Sequence, residues 1–343
     1  MAVFKRKSFL KQDFKKISSQ VVDWYLKDGR HNLPWRKKVT PYRIWISEIM
    51  LQQTQVKTVI PYFNAFIKKY PTLQKLSLAT EDEILASWSG LGFYRRAKNI
   101  FAAKEIIKKN HSNKFPSEFD SIIELPGIGK STAGALMSLA FLVPQPILDG
   151  NVKRVISRLI RKNIAALKEK ELWELSKKLV NSDDCFSYTQ GIMDLGATVC
   201  TKANPTCYAC PLNENCMSAF QVSQQVTINK KAKNKKVILM KFALVQTKKS
   251  LLLTKNNTES IWNSLWVPFD NSKIKSHANK LELKSNEKFR HELTHRSLDL
   301  DVNIYFSPKE FKLDTNQKYE WIKKDRIEDY GMPQPITKLI QQL

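Results

Sequence analysis

Between two helical sequence patterns lies the stretch Leu125-Pro126-Gly127-Ile128-Gly129-Lys130-Ser131-Thr132-Ala133-Gly134. Gly127 and Gly129 allow positive φ angles and a close backbone approach, so successive N–H groups at the start of the second helix can face one phosphate. Lys130 adds a positive charge at the same place. Such contacts hold a duplex without reading its sequence. An ordinary helix–helix turn is the alternative, and the complete string favours a phosphate-binding hairpin.

The rest of the chain divides into a helical region and a region of strands. Apolar periodicity predicts helices at 44–59, 83–88, 97–107, 132–143 and 152–160. Five Lys in the eight residues 229–236 predict a solvated linker. Strands are predicted at 237–245, 251–253 and 300–306, and a short terminal helix at 335–340. We therefore expect an all-helical domain over 1–220, a linker over 221–236 and a smaller α+β domain over 237–343.

The chain is basic along its whole length. Its 343 residues include 57 Lys and Arg against 32 Asp and Glu, a net charge of +25. Residues 1–220 contain 34 basic and 19 acidic side chains, and residues 221–343 contain 23 and 13. The excess of positive charge is therefore not confined to a terminal tail. A polyanionic partner is the natural inference, because Lys and Arg neutralise phosphates and release counterions. A merely basic surface is the alternative.

The sequence predicts neither a signal peptide nor a membrane-spanning helix. Lys5-Arg6-Lys7 leads into Ser8-Phe9-Leu10-Lys11, not into a long apolar run. The longest uncharged stretch, 131–148, contains Gly134, Pro144 and Pro146, which is typical of a buried helix and its exit. We expect a cytoplasmic, monomeric protein that makes no membrane contact.

Four of the five cysteines are crowded into 17 residues, at Cys200, Cys207, Cys210 and Cys216. Four thiolates suit either a 4Fe-4S iron–sulfur cluster or tetrahedral zinc. Zinc sites usually pair cysteines two to four residues apart, so the six- and five-residue gaps favour the larger cluster. Unrelated free thiols are the third possibility. The fifth cysteine, Cys185, is expected to be an ordinary buried thiol.

Two carboxylates are candidates for acid–base chemistry. Glu48 interrupts the mostly apolar run 44–51, so partial desolvation should raise its pKa and keep a proton available near neutral pH. A surface Glu on a polar stripe with Ser47 and Gln52 is the alternative. Asp149 precedes a predicted helix and is expected to cap it, held ionised by backbone N–H groups. One protonated and one ionised acid is the arrangement that glycosidic-bond cleavage uses.

Cleavage of the glycosidic bond of a base inside a duplex also requires that the base be flipped out and that the gap it leaves be filled. The segment Gly90-Leu91-Gly92-Phe93-Tyr94-Arg95-Arg96 offers a flexible turn with aromatic and cationic side chains, and Gln53 is a second candidate for insertion. Core packing of Phe93 or Tyr94 is an equal alternative.

Several segments together indicate a family: Leu33-Pro34-Trp35-Arg36, Met50-Leu51-Gln52-Gln53-Thr54-Gln55, Gly90-Leu91-Gly92, the hairpin, Ile147-Leu148-Asp149-Gly150-Asn151-Val152-Lys153-Arg154, Met193-Asp194-Leu195-Gly196-Ala197 and the four cysteines. With these, residues 14–220 resemble the A/G-specific adenine DNA glycosylases of the MutY type, in the helix-hairpin-helix (endonuclease III) superfamily. The resemblance implies a 4Fe-4S cluster in the 200–216 loop. It also implies double-stranded DNA carrying adenine opposite 8-oxoguanine or guanine as the substrate.

The resemblance also implies roles for individual residues. Glu48 falls on the catalytic acid and Asp149 on the carboxylate that stabilises the transition state. Positions near the flipped adenine are Trp35, Arg36, Gln190 and Asn151. Gln53 and Phe93 match residues that enter the duplex, with Tyr94, Gly127, Gly129, Lys130 and Lys153 as further DNA contacts. Ser131 stands where relatives that also cleave the strand have a nucleophilic Lys, so we expect base removal without efficient strand cleavage.

Residues 237–343 resemble, more weakly, the Nudix-like domain that senses 8-oxoguanine in this family. No Gly occurs between Gly196 and Gly331, so the catalytic Nudix box is absent and the domain should bind but not hydrolyse. Leu293-Thr294-His295 aligns with a recognition loop that is often Phe-Ser-His.

Two other functions remain open at this point. A related pyrimidine glycosylase or lyase is disfavoured by Ser131 and by the C-terminal domain, although Lys153 remains a conceivable Schiff-base residue. A noncatalytic iron–sulfur protein that binds mismatched DNA is the second alternative.

Overall fold

The computed structural model describes residues 13–163, 167–221, 235–256, 261–278, 281–293 and 295–343. The chain forms two compact units, Met1–Ser77 with Ala102–Asn229 and Leu78–Phe101 with Lys230–Leu343. Most of the predicted linker, residues 222–234, lies outside the described residues.

The first unit is helical, as predicted. Within the described residues, the chain up to Gln221 contains α1 (Phe14–Asp28), α2 (Pro34–Lys37), α3 (Pro41–Leu51), α4 (Val56–Lys69), α5 (Leu73–Ser77), α6 (Glu81–Ser87), α7 (Arg95–Asn110), α8 (Phe119–Ile123), α9 (Lys130–Ala140), α10 (Gly150–Leu159), α11 (Glu169–Leu179) and α12 (Cys185–Asp194). A π-helical turn (Leu195–Val199) and a 3-10 turn (Cys207–Ala209) follow. Of these, α6 and the start of α7 belong to the second unit. None of the helices in the described ranges is long and apolar enough to cross a bilayer.

The glycine-containing turn connects α8 to α9, and only one of its two glycines needs a positive φ. Gly127 has φ 85°, whereas Gly129, the residue that caps α9, has φ −94° and an extended backbone. The sequence allows a positive φ at both glycines, and of the two only Gly127 adopts one. The Gln52 side chain donates to the Gly127 carbonyl oxygen at 3.1 Å, and Leu125 and Ile128 are buried, so the turn is fixed to the body of the unit.

The helix predicted at 44–59 is two helices. α3 ends at Leu51, Gln53 has φ 58°, and α4 begins at Val56. An apolar pattern that continues in phase across a four-residue turn conceals such a break, because a glutamine in the left-handed region carries no sequence signal of the kind that glycine gives.

The second unit is built on a seven-stranded sheet. Its elements within the described residues are β1 (Lys236–Gln246), β2 (Ser250–Lys255), β3 (Trp266–Val267), β4 (Phe269–Asp270), α13 (Asn271–Ala278), β5 (Glu282–Glu292), β6 (Arg296–Phe306), β7 (Tyr319–Lys323), a 3-10 turn (Lys324–Asp329) and α14 (Gln334–Ile340). The order is β3-β2-β1-β6-β5, with β4 on β1 and β7 on β2. β1 and β6 are parallel, with Lys236 opposite Arg296 and Gln246 opposite Phe306.

Burial follows the predicted alternation along β6. Leu298, Leu300, Val302 and Ile304 are buried, whereas Asp299, Asp301 and Asn303 between them are partly exposed. The buried side chains form one core together with residues of β1, β2 and α14. The predicted strands and the terminal helix are confirmed.

Residues 78–101 belong with the sheet and not with the other helices, although the sequence boundary at residue 220 assigns them to the helical region. Asp82 accepts hydrogen bonds from the Trp266 indole at 3.0 Å and from Lys255 at 2.9 Å. The Tyr94 hydroxyl donates to the Met332 carbonyl oxygen at 3.1 Å. A continuous chain segment before the linker therefore completes the second unit.

Helix α9 packs closely against the segment before Asp149, and this contact should contribute to stability. A Cβ atom at Gly134 would clash with the Pro146 carbonyl oxygen, whereas a Cβ at Gly129 would meet nothing within 4 Å. Gly134→Ala should lower the free energy of unfolding by about 1–3 kcal/mol, because backbone must move. Gly129→Ala is the control and should change it little. Urea unfolding followed by circular dichroism measures both, and equal effects would contradict the close approach.

Candidate active site

One cavity of the first unit, about 770 Å³ in volume, contains both candidate carboxylates. It is lined by every residue that the sequence predicted for catalysis and adenine binding: Glu48, Asp149, Trp35, Arg36, Gln190, Asn151 and Ser131. Gln53 lies at the same cavity. The cavity is large enough for a nucleotide, and polar side chains converge on it from α3, α10 and α12, as in small-molecule sites.

Glu48 lies on α3 among buried neighbours, with Ser47 and Ile49 on either side almost without exposure. Its own side chain is partly buried, and it has no hydrogen-bond or ion-pair partner among the described residues. Burial raises its pKa to about 7, the Asp149 charge adds to the rise, and Arg36 opposes it. This carboxyl group can hold a proton near neutral pH and release it.

Asp149 caps α10, as predicted. Its carboxylate accepts the Val152 N–H at 2.7 Å. Burial raises the pKa of Asp149, while the N–H groups of Val152 and Asn151 and the Arg154 charge lower it. The cap acts in the expected direction but is outweighed by burial, so the pKa lies above its ordinary value. The Ser131 hydroxyl accepts the Leu148 N–H at 2.9 Å and holds this segment against α9.

A buried ion cluster borders the cavity, and the sequence reasoning did not identify it. Asp194, at the end of α12, has no exposure and pairs with Arg36 at 2.7 Å and with Arg30. Arg36 and Arg30 both line the cavity. Burial would raise the pKa of Asp194, but the two arginines together lower it. An acidic residue within an apolar helical segment was the available signal, since buried charges are paired.

Two further pocket residues are almost fully buried. Trp35 is 3% exposed and lies edge-on to Phe63 at 5.4 Å between ring centroids. Gln190 is 2% exposed, and its amide makes no hydrogen bond to another described residue. A buried amide with unused donors and acceptors is costly, unless a ligand satisfies it.

The predicted DNA contacts differ in solvent exposure and in whether the side chain already makes a structural hydrogen bond. Gln53 is exposed and has a left-handed backbone (φ 58°), and in the second unit Phe93 is 46% exposed with φ 49°. Non-glycine residues in this region are uncommon and concentrate at functional sites. Tyr94 instead has a structural contact, because its hydroxyl accepts from the Gly90 N–H and donates to Met332.

Two lysines near the candidate site have partners. The Lys130 ammonium, at the start of α9, lies over the Trp173 ring at 4.3 Å from its centroid. Lys153 forms an ion pair with Glu169 at 3.1 Å. Both remain at least partly exposed.

The four clustered cysteines line a single small cavity of about 30 Å³. Burial raises the pKa of the Cys210 thiol to about 12, and the other three thiols contribute to this rise because they lie nearby. No three His, Cys, Asp or Glu side chains in the described ranges are arranged to hold a single metal ion. Cys185 is buried apart from the others, as expected, and its thiol donates to the Ser138 carbonyl oxygen.

A second cavity, about 620 Å³ in volume, lies within the second unit. Two of the predicted recognition residues, Leu293 and His295, line it together with Phe93, whereas Thr294 lies outside the described residues. The sequence reasoning missed Trp262 and His291, which also line this cavity. Their rings are 6.4 Å apart, and burial lowers the pKa of His291. Trp262 has a left-handed backbone (φ 66°), which no sequence pattern predicts.

Comparison with known proteins agrees with this architecture. Residues 46–182 match the model of the HhH-GPD superfamily base excision DNA repair proteins, and residues 241–342 match the NUDIX domain model. Among solved structures, a thermostable thymine-DNA glycosylase superposes with a TM-score of 0.56 and 29% identity over 61% of this chain and 97% of its own. Endonuclease III in a non-covalent complex with DNA gives 0.53 at 21% identity, also over 61% of this chain, which shows a shared fold.

Curated relatives extend the match to nearly the whole chain. The adenine DNA glycosylase of Buchnera aphidicola subsp. Schizaphis graminum is 39% identical over 95% of this chain and 98% of its own length. That of Buchnera aphidicola subsp. Baizongia pistaciae is 39% identical over 94% and 95%. The human adenine DNA glycosylase is 36% identical over 60% of this chain and 40% of its own. The chain belongs to the adenine DNA glycosylase family, with a helical HhH-GPD domain followed by a Nudix-like domain.

Proposed function

We propose that this enzyme binds duplex DNA, flips out an adenine that is mispaired with 8-oxoguanine or guanine, and hydrolyses its N-glycosidic bond. The observation that carries the proposal is the cavity shared by Glu48 and Asp149, in which Glu48 has a pKa of about 7. Paired carboxyl groups in different environments are the means by which glycosidic bonds are cleaved.

The proposed reaction assigns one step to each carboxyl group. Glu48 gives its proton to a ring nitrogen of the adenine, so that the base can leave with the electrons of the C1′–N9 bond. Asp149, ionised, balances the positive charge that develops on the sugar. Water adds to C1′ and loses a proton, which restores the acid form of Glu48. The cap from Val152 holds the Asp149 carboxylate in place during the reaction.

Gln190 and Trp35 would hold the flipped base. Both are buried at the cavity, and the free amide of Gln190 has a donor and an acceptor for the edge of a purine. Trp35 offers an apolar surface. A base that satisfies Gln190 removes the cost of leaving the amide unpaired.

Base removal without efficient strand cleavage follows from the residues at the cavity. Ser131, in the place of a nucleophilic Lys, is engaged with the Leu148 N–H. Lys153 forms an ion pair with Glu169 and does not line the cavity. The lyase alternative therefore has little structural support.

Duplex binding would use the exposed groups around the two units. The open backbone at Gly129, at the start of α9, can approach a phosphate with Lys130 beside it. Gln53 and Phe93 are the candidates for filling the gap that the flipped base leaves, because both are exposed on left-handed turns. The net charge of +25 supports a polyanionic partner.

The cysteine loop fits a 4Fe-4S cluster. Four cysteines line one cavity, and the six- and five-residue gaps between them favour a 4Fe-4S cluster over tetrahedral zinc. Cys200, Cys207, Cys210 and Cys216 would hold the cluster as thiolates, and it would stiffen the loop. Arg158 already bridges α10 to this loop through the Thr201 carbonyl oxygen at 2.7 Å.

The cavity of the second unit is the proposed site for the base opposite the adenine. Aromatic rings of Trp262 and Phe93 offer stacking surfaces, and His295 and His291 offer hydrogen bonds. Trp262 supplies an aromatic surface that Leu293 does not. Since 8-oxoguanine and guanine differ by one oxygen and one hydrogen at the imidazole ring, polar contacts must distinguish them.

Adenine release depends on Glu48 in this proposal. Glu48→Gln should slow single-turnover release from adenine–8-oxoguanine duplexes by at least about 100-fold, because a general acid is lost. The wild-type rate should fall as the pH rises through about 7, since Glu48 then loses its proton. Abasic-site cleavage by alkali measures release from duplexes with adenine opposite 8-oxoguanine, guanine or thymine. Glu174→Gln, an exposed carboxylate on α11, is the matched control. Binding without any release by the wild type would favour the noncatalytic alternative.

The cofactor proposal has its own test. The purified protein should contain iron and sulfide in equal amounts and absorb visible light, and Cys216→Ala should lose both properties. Cys185→Ser, outside the loop, is the control and should retain them. Metal analysis by mass spectrometry decides the question, and one zinc per chain without iron would overturn the proposal.

Point substitutions test the second cavity better than truncation, because removal of residues 237–343 would also remove the partners of 78–101 and expose that segment. Trp262→Ala and His295→Ala should each lower the ratio of rates on 8-oxoguanine and guanine mispairs about five- to tenfold, the value of one contact of about 1 kcal/mol. Asn316→Ala, at an exposed site in the same unit, is the control. An unchanged ratio in both variants would reject the site.

A further inference from the structure

Asp194 is the buried centre of an ion cluster with two arginines. Its Oδ1 atom accepts from Arg36 Nη2 at 2.9 Å and from Arg30 Nε at 2.8 Å, and its Oδ2 atom accepts from Arg36 Nη1 at 2.7 Å and from the Arg30 backbone N–H at 2.9 Å. Arg36 Nη1 also donates to the Arg30 carbonyl oxygen at 3.1 Å. Each oxygen therefore contacts both arginines, so displacing one disturbs the other.

The cluster belongs to the active-site cavity through its arginines. Both line that cavity, and the side chain of Arg36 is only 4% exposed. Asp194 itself lies behind them and does not line the cavity. It is therefore placed to act on bound base only through Arg30 and Arg36.

Charge is unevenly balanced in this cluster. Two guanidinium groups face one carboxylate, which leaves one net positive charge beside a carboxyl group that must stay protonated. Burial strengthens electrostatic effects because solvent does not screen them. Loss of Asp194 would leave two positive charges, and loss of one arginine would leave none.

We infer that Asp194 is a positioning residue for base release: it fixes Arg30 and Arg36 at the wall of the adenine cavity and sets how much positive charge faces Glu48. The inference rests on the proposed role of Glu48 as the acid. It assigns Asp194 no contact with the substrate. The carboxylate acts by holding both guanidinium groups in place and by neutralising part of the charge of the pair.

The titratable groups around the two carboxylates are few among the described residues. Asp149 and Arg36 act on Glu48. Arg36 and Arg30 act on Asp194, and Tyr25 of α1 lies nearby, with Arg36 5.6 Å above its ring. Burial raises the pKa of Tyr25, so this phenol stays neutral across the working range. Tyr25 therefore adds no charge, and the charge that faces Glu48 comes from Asp149 and from the two arginines with Asp194.

Substitutions of opposite charge give opposite expectations. Asp194→Asn leaves two positive charges, which favour the ionised form of Glu48, so the alkaline limb of the pH–rate profile should move to lower pH. Arg30→Gln leaves the remaining pair neutral, so the limb should move to higher pH. The expected displacement is roughly 0.5–1 pH unit in each direction, less than that of a direct contact. The double variant restores the net charge and should return the limb towards its wild-type position.

Single-turnover adenine release from pH 5.5 to 9, with the full-length protein on an adenine–8-oxoguanine duplex, measures these displacements. Arg30→Lys, which keeps the charge, is the matched control and should leave the limb in place. Slower rates with an unmoved limb in both single variants would overturn the inference and leave a merely structural ion cluster. If Asp194→Asn does not fold, Arg30→Gln decides the matter alone, because the Arg30 side chain is 30% exposed. Absence of release by the wild type would instead reject the proposed function.

Discussion

The role proposed for Glu48 requires that its carboxyl group be shielded from water, because burial is what brings its pKa towards neutral pH. Burial of Glu48 in α3 raises its pKa to about 7, and the neighbouring Asp149 contributes in the same direction. Both the burial of Glu48 and the charge of Asp149 make the ionised form of Glu48 unfavourable. The proton, once given, leaves a second negative charge in the same cavity. Arg36 limits that cost, since its positive charge favours the ionised form. With these opposing effects, the protonated and the ionised forms of Glu48 are both accessible near neutral pH.

The second requirement is that Asp149 reaches the same cavity from a different helix. The backbone of α9 approaches the 146–148 segment closely, because Gly134 has no Cβ, and the Ser131 hydroxyl accepts the Leu148 N–H. The cap of α10 then places the carboxylate. The same turn that exposes Gly129 begins α9. The proposed grip on phosphate and the proposed placement of the carboxylate therefore depend on one helix.

The sequence predicted what depends on local pattern and missed what depends on the meeting of distant segments. Local sequence patterns predict the alternating burial along β6, the helices of the first region and the cap at Asp149, and the structure contains all three. The break at Gln53 and the left-handed Trp262 arise where tertiary contacts override residue preference. Asp194 and Arg30 are 164 positions apart, so no periodicity relates them. The raised pKa of Asp149 was missed for a similar reason, because a cap is visible in a sequence and its desolvation is not.

The membership of 78–101 in the second unit bears on how the proposed function is divided. Phe93, a candidate for insertion into the duplex, belongs to the same unit as His295 and Trp262, and it lines the same cavity. Glu48, Asp149 and Gln53 belong to the other unit. If one unit reads the opposite base and the other removes adenine, a duplex must contact both for the reaction to proceed. Positive charge is accordingly needed on both units, and both have it: 31 basic against 16 acidic residues in the first unit, and 26 against 16 in the second. Selectivity can then arise from the energy of simultaneous contact, since neither unit alone holds all the groups that the reaction requires.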